Sequence, residues 1–275
     1  MHPIISQLNR MVENAKLSGI GEEIIRVMIK ETLQDYVLQA IYASDHKHLI
    51  FIGGTALRKL YQLPRMSEDL DFTSLVQVDL PNLRHTIHHH FSQIRFEPVT
   101  SSIQQSDNVH RLIVKFAVLH DIGLSPLKDE NVHVKVELTV DPTKFPTKIT
   151  MYNGSNLFIP MRHYPLETMM AGKIAACLNR VWGKGDTGIR VKGRDYYDLI
   201  WYMEKGIRPT SEKLIDFNPD YTKEAVFPLL DEKVKLIKSS DLLADLKPYL
   251  TDISATTMWC KKFHELYRKY RINYP

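Results

Sequence analysis

The stretch "FIGGTALRKLYQLPRMSEDLDF" (51–72) joins an apolar strand to a pair of carboxylates. It turns on Gly53 and Gly54 and ends in Asp69 and Asp71. Residues i and i+2 of a strand point to the same side, so the two aspartates present their carboxylates together. Like charges held that close are costly unless a cation lies between them. The pair therefore predicts a metal-binding strand, and oxygen ligands of this kind suit Mg²⁺ or Mn²⁺.

The rest of the stretch offers groups that bind phosphate. Two adjacent glycines let backbone N–H groups approach phosphate oxygens without side-chain interference. Hydroxyl and guanidinium groups nearby add hydrogen-bond donors and positive charge. A lone D-x-D is common in surface turns, whereas a strand, two glycines, a spacer and S-x-D-L-D-F form a far more specific pattern. The predicted nucleotide-binding residues are Gly53, Gly54, Thr55, Arg65 and Ser67.

A second strand can supply a third acid. The segment 132–140, "VHVKVELTV", alternates apolar and polar residues, and Glu137 lies on its polar face. If this strand neighbours the one that carries Asp71, Glu137 joins the metal site, as in many phosphoryl-transfer enzymes. The alternative is an exposed Glu137 that pairs with Lys135. Asp141 is the second choice for the third acid.

A further candidate set lies on two later helices. Lys173 stands in the apolar segment "MMAGKIAACL", and Asp195 begins the next helix three residues before Asp198. A lysine on an apolar helix commonly extends to the surface. Asp195 or Asp198 can instead hold the ammonium group in a cleft, where it contacts a triphosphate. The alternative is that Asp198 is only the buried partner of Arg194 or Arg180.

Basic residues concentrate in the loop that joins these two helices. The net charge of +4 is too small to demonstrate a nucleic-acid partner. A solvated basic surface is the favoured interpretation of the loop taken alone. If the substrate is RNA, the same loop is expected to hold it. The residues concerned are Lys184, Arg190, Lys192 and Arg194.

Length and composition are those of an ordinary globular protein. The chain has 275 residues, of which 44% are hydrophobic and 25% charged, so a sizeable core is expected. Its two cysteines exclude a disulfide framework and fit a reducing cytosol. An apolar run long enough to span a membrane and the apolar core of a signal peptide are both missing from the sequence. A cytoplasmic location without membrane association is predicted.

Periodicity divides the chain near residue 160. Strands and helices alternate before that point, and helices dominate after it, which predicts an α+β (mixed α/β) fold with domains at 1–160 and 161–275. The segment 142–156 is rich in loop-forming residues, and Pro228 is expected to kink or break its helix. Predicted helices cover 22–43, 80–94, 211–217, 222–237, 240–250 and 256–270, and predicted strands cover 48–52, 111–120 and 132–140.

The motifs together resemble a known family. "GGTALRKL…RMSEDLDF", "AGK" on a helix and "RDYYDL" are similar to the AbiEii/AbiGii-type nucleotidyltransferase toxins, which belong to the DNA polymerase β-like superfamily. The resemblance covers about residues 51–199. It implies an N-terminal nucleotidyltransferase core with a mixed sheet, followed by a C-terminal helical bundle. It also implies metal binding by Asp69 and Asp71, a phosphate contact from Ser67, and an active site completed by Lys173 and Asp195.

The family pattern leaves two points open. The 14 residues between Gly54 and Asp69 make a long spacer for the superfamily. The third acid is fixed by no motif, so Glu137 depends on strand geometry alone.

The resemblance also implies a reaction. Its members transfer a nucleoside monophosphate from an NTP to an acceptor and release pyrophosphate, with Mg²⁺ or Mn²⁺ as cofactor. They act as toxins of toxin–antitoxin or phage-defence systems, and several modify the 3′ end of tRNA. The antitoxin is typically a separate winged-helix regulator encoded nearby. Two alternatives remain: a phosphotransferase (kinase) on the same fold, and a non-catalytic nucleotide-binding interaction module.

Overall fold

A computed structural model describes residues 1–106, 109–180 and 191–274. The chain forms two compact units, Met1–His163 and Tyr164–Pro275. The division lies three residues beyond the boundary at 160 that periodicity suggests. Strands occur in the first unit, whereas the described residues of the second are helical apart from turns and loops. The predicted class, a mixed α/β part with a mixed sheet followed by a helical part, is confirmed.

The first unit is built on a seven-stranded sheet with the order β3-β4-β5-β2-β1-β7-β6. The pairs β1–β7 and β2–β5 are parallel, and the other pairs are antiparallel. The strands are β1 (Ile50–Ile52), β2 (Asp69–Ser74), β3 (Val99–Ser106), β4 (Val109–Phe116), β5 (Val132–Val140), β6 (Lys148–Gly154) and β7 (Leu157–His163). The helices are α1 (Pro3–Leu17), α2 (Glu22–Tyr42), α3 (Gly53–Tyr61) and α4 (Leu80–Gln93), with a short 3₁₀ helix at Asp45–His48.

Strand β2 lies at the centre of this sheet, between β1 and β5. Its residues Leu70 and Phe72 are almost fully buried, because they point into the core on the side opposite the aspartates. Strand β5 alternates as predicted, with buried valines between half-exposed Lys135 and Glu137. The sheet therefore has an apolar side and a side that carries the acids.

Helix α2 is less amphipathic than its apolar pattern suggests. The predicted apolar positions are all at most 1% exposed: Ile25, Ile29, Leu33, Val37 and Ile41. Gln34 and Asp35, between them, are buried as well. Buried polar side chains need hydrogen-bond partners, so this part of α2 has a role beyond packing.

The second unit contains seven described helices. They are α5 (Leu166–Asn179), α6 (Gly193–Glu204), α7 (Ser211–Phe217), α8 (Lys223–Lys235), α9 (Ser239–Leu246), α10 (Ile253–Lys261) and α11 (Phe263–Arg271), with a 3₁₀ turn at Lys247–Tyr249. Helix α8 continues through Pro228 without a break. The single helix expected at 256–270 is two helices that meet at Lys262.

A further difference from the predictions concerns the sheet. Strand β6 occupies part of the segment 142–156, whose composition favours a loop. Most of its residues are exposed, so no alternation marks it. Among the described helices, none combines the length and hydrophobicity that a bilayer span requires.

Candidate active site

The glycine turn and Asp71 are fitted to each other. Strand β1 ends at Ile52, which is the register partner of Asp71, and α3 starts at Gly53 with φ of 78°. A Cβ at Gly53 would lie 2.9 Å from Cγ of Asp71. A side chain at this position is therefore excluded both by the left-handed backbone and by the Asp71 carboxylate.

The beginning of α3 forms an anion-binding feature. Its N-cap residue, Ile52, has no polar side-chain atom to satisfy the first amide groups of the helix. Gly54 has Ser67 and Arg65 beside it, since a Cβ there would lie 3.2 Å from Ser67 Oγ and 3.3 Å from Arg65 Cζ. Arg65 is buried and also donates from Nη1 to the Met66 carbonyl at 3.0 Å. Uncapped amides, a guanidinium and a hydroxyl at one helix N-terminus are suited to phosphate.

Asp69 carries a carboxylate with little compensation from the protein. Its Oδ1 is buried and has no hydrogen-bond partner among the described residues. The cation that pairs with it is Lys135, with Nζ 3.7 Å from Oδ1. The Thr55 hydroxyl, predicted to bind nucleotide, is buried and donates to the Asp69 backbone carbonyl at 2.5 Å. Thr55 thus fixes the strand that carries the acid.

Glu137 lies beside the aspartates but is bonded elsewhere. Strands β2 and β5 place Glu137 in register with Asp71, on the same side of the sheet. On its other side, Arg111 of β4 is its register partner, and Arg111 Nη2 is 2.6 Å from Glu137 Oε1. Lys135, the partner expected in the alternative interpretation, pairs with Asp69. Asp141, the second choice, accepts a hydrogen bond from the Thr143 N–H at 3.1 Å.

The donor set at β2 fits a divalent cation through two carboxylates. Within residues 1–106, 109–180 and 191–274, no three or more His, Cys, Asp or Glu side chains are grouped to hold a metal ion. The fit therefore rests on Asp69 and Asp71, whose carboxylates are hard oxygen ligands on the same side of β2. It also rests on Asp69 Oδ1, which has no hydrogen-bond partner among the described residues. Glu137 pairs with Arg111 through Oε1, so it would join the two aspartates through its other carboxylate oxygen.

The second unit holds Lys173 between two buried acids. Its Nζ lies 2.7 Å from Asp195 Oδ1 and 2.8 Å from Asp198 Oδ2, and these two ion pairs join α5 to α6. Arg180 also forms an ion pair with Asp195. Burial by itself raises the pKa of Asp195, but the charges of Lys173 and Arg180 outweigh it and lower that pKa to about 2. Both aspartates proposed from the sequence as partners of Lys173 therefore contact it.

The predicted RNA-binding loop is only partly within the described residues. Lys184 and Arg190 lie outside them. Arg194 forms an ion pair with Asp245, at 3.3 Å, and its guanidinium lies 4.1 Å from the centre of the Tyr249 ring. For Lys192, burial is the main cause that lowers the pKa of its ammonium group. Arg194 is therefore engaged in packing within the second unit.

Sequence reasoning missed a polar network on α2. Asp35 is bonded by Lys59 Nζ at 2.5 Å, Ser155 Oγ at 2.5 Å and the Tyr152 hydroxyl at 3.2 Å. Glu31 and Gln34 of the same helix contact the residues just before Asp69. The sequence contains one sign of this network: Glu31, Gln34 and Asp35 are polar residues, spaced by three and four, within an otherwise apolar helix.

Paired aspartates on a central strand, next to a glycine turn that opens a helix, are the arrangement expected of a nucleotidyltransferase. Comparison with known families gives the narrower assignment. The family described as "Nucleotidyl transferase AbiEii toxin, Type IV TA system" matches residues 36–265. The chain belongs to this family of nucleotidyltransferase toxins.

Solved structures show the same fold at low sequence identity. MenT4, a nucleotidyltransferase toxin from Mycobacterium tuberculosis H37Rv, is 16% identical with a TM-score of 0.54, over 95% of this chain and 88% of that one. JHP933 from Helicobacter pylori is 19% identical with a TM-score of 0.50, over 90% of this chain and 94% of that one. Comparison with the curated proteins gave no match. At these identities the similarity concerns the fold.

Proposed function

We propose that this protein transfers a nucleoside monophosphate from an NTP to the 3′ end of an RNA, with tRNA as the expected acceptor, and releases pyrophosphate. The observation that carries the proposal is the Asp69–Asp71 pair beside the uncapped N-terminus of α3. There, a buried Asp69 oxygen has no hydrogen-bond partner among the described residues. A phosphate-binding helix end and cation-binding carboxylates side by side are what phosphoryl transfer requires.

The residues around α3 bind and orient the triphosphate. The amide groups of Gly53 and Gly54 donate to its oxygens, and Arg65 and Ser67 add a positive charge and a hydroxyl beside Gly54. Asp69 and Asp71 would hold Mg²⁺ or Mn²⁺, which supplies positive charge to the phosphoryl oxygens when bound. The fixed backbone of β2 limits the movement of both carboxylates and thereby keeps the phosphate in line for attack.

Glu137 is the third acid of this proposal. It is in register with Asp71, on the same side of the sheet, and its carboxylate would accept the proton of the acceptor hydroxyl. One of its carboxylate oxygens, Oε1, also pairs with Arg111 at 2.6 Å.

The second unit contributes Lys173 and the basic loop. Asp195 and Asp198 fix the Lys173 ammonium group, which we propose contacts the triphosphate. The loop with Lys184, Arg190, Lys192 and Arg194 is proposed to bind RNA through phosphate contacts. As a toxin, the protein is expected to act in the cytoplasm and to be countered by a separate winged-helix antitoxin encoded nearby.

The test is transfer by the full chain and by an Asp69→Asn variant. Each labelled NTP is incubated with total RNA and Mg²⁺, and labelled RNA and released pyrophosphate are measured. Asp69 would hold the metal ion whose positive charge stabilises the phosphoryl oxygens, and losing that stabilisation costs several kcal/mol, so Asp69→Asn should lower the rate by about 10³-fold. Asp121→Asn, which removes an exposed carboxylate, is the matched control and should leave the rate unchanged.

The products distinguish this function from its competitors. Full activity of Asp69→Asn would refute the site. Release of NDP in place of pyrophosphate would show phosphotransfer to an acceptor. A lack of product, with thermal stabilisation by Mg²⁺-NTP, would show a binding module without catalysis.

A further inference from the structure

Two side chains of helix α2 hydrogen-bond to the backbone just before the first acid of β2, and together these contacts form the α2 grip. Glu31 Oε1 accepts the backbone N–H of Ser67 at 3.1 Å. Gln34 Nε2 donates to the Ser67 carbonyl at 3.2 Å and to the Glu68 carbonyl at 2.8 Å. Glu31 and Gln34 are three residues apart and so project from the same face of α2. Lys30 adds an ion pair with Glu68 at 3.4 Å.

These contacts satisfy backbone groups that the sheet leaves unpaired. The ladder between β2 and β5 begins at Asp69, one residue after Glu68. The polar backbone groups of Ser67 and Glu68 therefore need partners outside the sheet, and α2 supplies three of those hydrogen bonds from two side chains. Because Ser67 and Asp69 are separated by one residue, the same grip fixes the hydroxyl and the carboxylate.

The chemistry of each side chain is specific to this arrangement. Gln34 is fully buried, and only its amide nitrogen can face two carbonyl oxygens. Its Oε1 has no hydrogen-bond partner among the described residues, an unfavourable condition that the two donated bonds offset. Glu31 is held in turn by Arg58, whose Nε lies 3.4 Å away, and Lys59 Nζ bonds its carbonyl oxygen at 3.1 Å.

We propose that Glu31 and Gln34 are positioning residues of the transfer site, which hold Ser67 and Asp69 against the Gly53–Gly54 turn without touching the nucleotide. This inference rests on the proposed function. Both residues precede the segment 36–265 that matches the family, so family membership does not assign them this role.

The test compares variants that differ in hydrogen bonding and little in size. Gln34→Met keeps the volume and removes both donated bonds, whereas Glu31→Gln keeps an acceptor for the Ser67 N–H. We expect Gln34→Met to raise both KM for the NTP and the Mg²⁺ concentration at half-maximal rate by about tenfold. A tenfold change corresponds to about 1.4 kcal/mol, the order of magnitude of the lost hydrogen bonds to the Ser67 and Glu68 carbonyls. Glu31→Gln should stay within about twofold of the wild type.

A structural control separates positioning from stability. Leu33 lies next to Gln34 on α2 and is fully buried, so Leu33→Ala should lower the melting temperature. It should leave KM and the Mg²⁺ dependence unchanged. A Gln34→Met variant that behaves like Leu33→Ala, with a lower melting temperature and unchanged KM and Mg²⁺ dependence, would overturn the inference.

A binding measurement keeps this inference distinct from the proposed function. Calorimetric titration of Mg²⁺-ATP, -GTP, -CTP and -UTP onto each full-length variant needs no acceptor. If the wild type transfers nothing, the proposed function fails, and weaker Mg²⁺-NTP binding by Gln34→Met still supports the grip. Equal binding by wild type and Gln34→Met would refute the grip, whatever the activity of the wild type.

Discussion

Asp69 of the first unit and Asp195 of the second are compensated by the protein in opposite ways. In the first, Asp69 has an oxygen with no hydrogen-bond partner among the described residues, and its cation, Lys135, stands 3.7 Å away. In the second, Asp195 is bonded by Lys173 and by Arg180. A carboxylate that must receive a metal keeps its charge poorly compensated, because a bonded lysine would compete for the same oxygen. A carboxylate that must orient a lysine is compensated by the protein itself.

The largest effect is expected from removing the compensating lysine. Lys173→Met leaves Asp195 and Asp198 buried without the ammonium group that contacts both. Removing one partner of a buried ion pair costs about 3–5 kcal/mol, so the second unit should unfold at a clearly lower urea concentration. Chemical denaturation followed by tryptophan fluorescence measures this, since Trp201 of α6 is buried in that unit.

A double variant provides the control for that prediction. Lys173→Met with Asp198→Asn removes a buried charge together with its partner and should regain part of the lost stability. If Lys173→Met is as stable as the wild type, the lysine and the acids do not form the compensated group described here.

The next effect concerns the uncompensated site. Gly53→Ala would push a Cβ into Asp71 at a backbone φ of 78°, whereas Gly19 has φ of 71° and no atom within 4 Å of such a Cβ. Both variants carry the same backbone strain, about 1–2 kcal/mol, and Gly53→Ala adds a clash with Asp71. Only Gly53→Ala displaces a proposed metal ligand, and a shift of about 1 Å can cost 10²-fold in rate. Thermal unfolding and transfer rates of the two variants measure these effects separately.

The pair of glycine variants separates strain from displacement. We expect both variants to lower the melting temperature, Gly53→Ala more than Gly19→Ala because of its clash with Asp71, and we expect about a 100-fold loss of transfer for Gly53→Ala alone. Equal rates in the two variants would show that the position of Asp71 is unimportant for transfer.

Local patterns were sufficient to predict the common direction of Asp69 and Asp71 and the contact of Lys173 with the acids of α6. The i, i+2 spacing of Asp69 and Asp71 gives their common direction whatever surrounds the strand. The helical spacing of Asp195 and Asp198 likewise places both on one side of α6, where Lys173 lies between them. These residues lie on one strand or on two neighbouring helices. The spacing of residues along a strand or a helix is therefore enough to predict that they lie together.

Contacts set by strand register could not be predicted. Glu137 forms an ion pair with Arg111, and Lys135 forms one with Asp69, because β4 and β2 flank β5 in one particular register. A shift of two residues would preserve every burial pattern and change each of these pairs.

The hydrogen bonds from α2 to the backbone of Ser67 and Glu68 could not be predicted from the sequence either. They join side chains to backbone atoms more than thirty residues away, and backbone hydrogen bonds leave no mark on residue type. The sequence shows only that Glu31 and Gln34 interrupt an apolar pattern.

The smallest of the three effects is the pH dependence of the compensated group. Asp195 has its pKa lowered from 3.8 to about 2 in the folded protein: burial opposes this shift, and the charges of Lys173 and Arg180 exceed the opposition. A folded-state pKa below the unfolded value means that the ionised carboxylate stabilises the fold above about pH 4. That stabilisation is lost as the pH falls from about 4 to about 2.

The lowered pKa corresponds to about 2 kcal/mol, so the free energy of unfolding should fall by that amount across this window in the wild type. Asp195→Asn cannot titrate, and its unfolding free energy, measured by urea titration at each pH, should fall less steeply between pH 4 and pH 2. Other carboxylates titrate there in both proteins, so the difference between the two curves isolates Asp195. Parallel curves would mean that Lys173 and Arg180 do not hold its charge, and the contrast with Asp69 would disappear, because neither acid would be compensated by the protein.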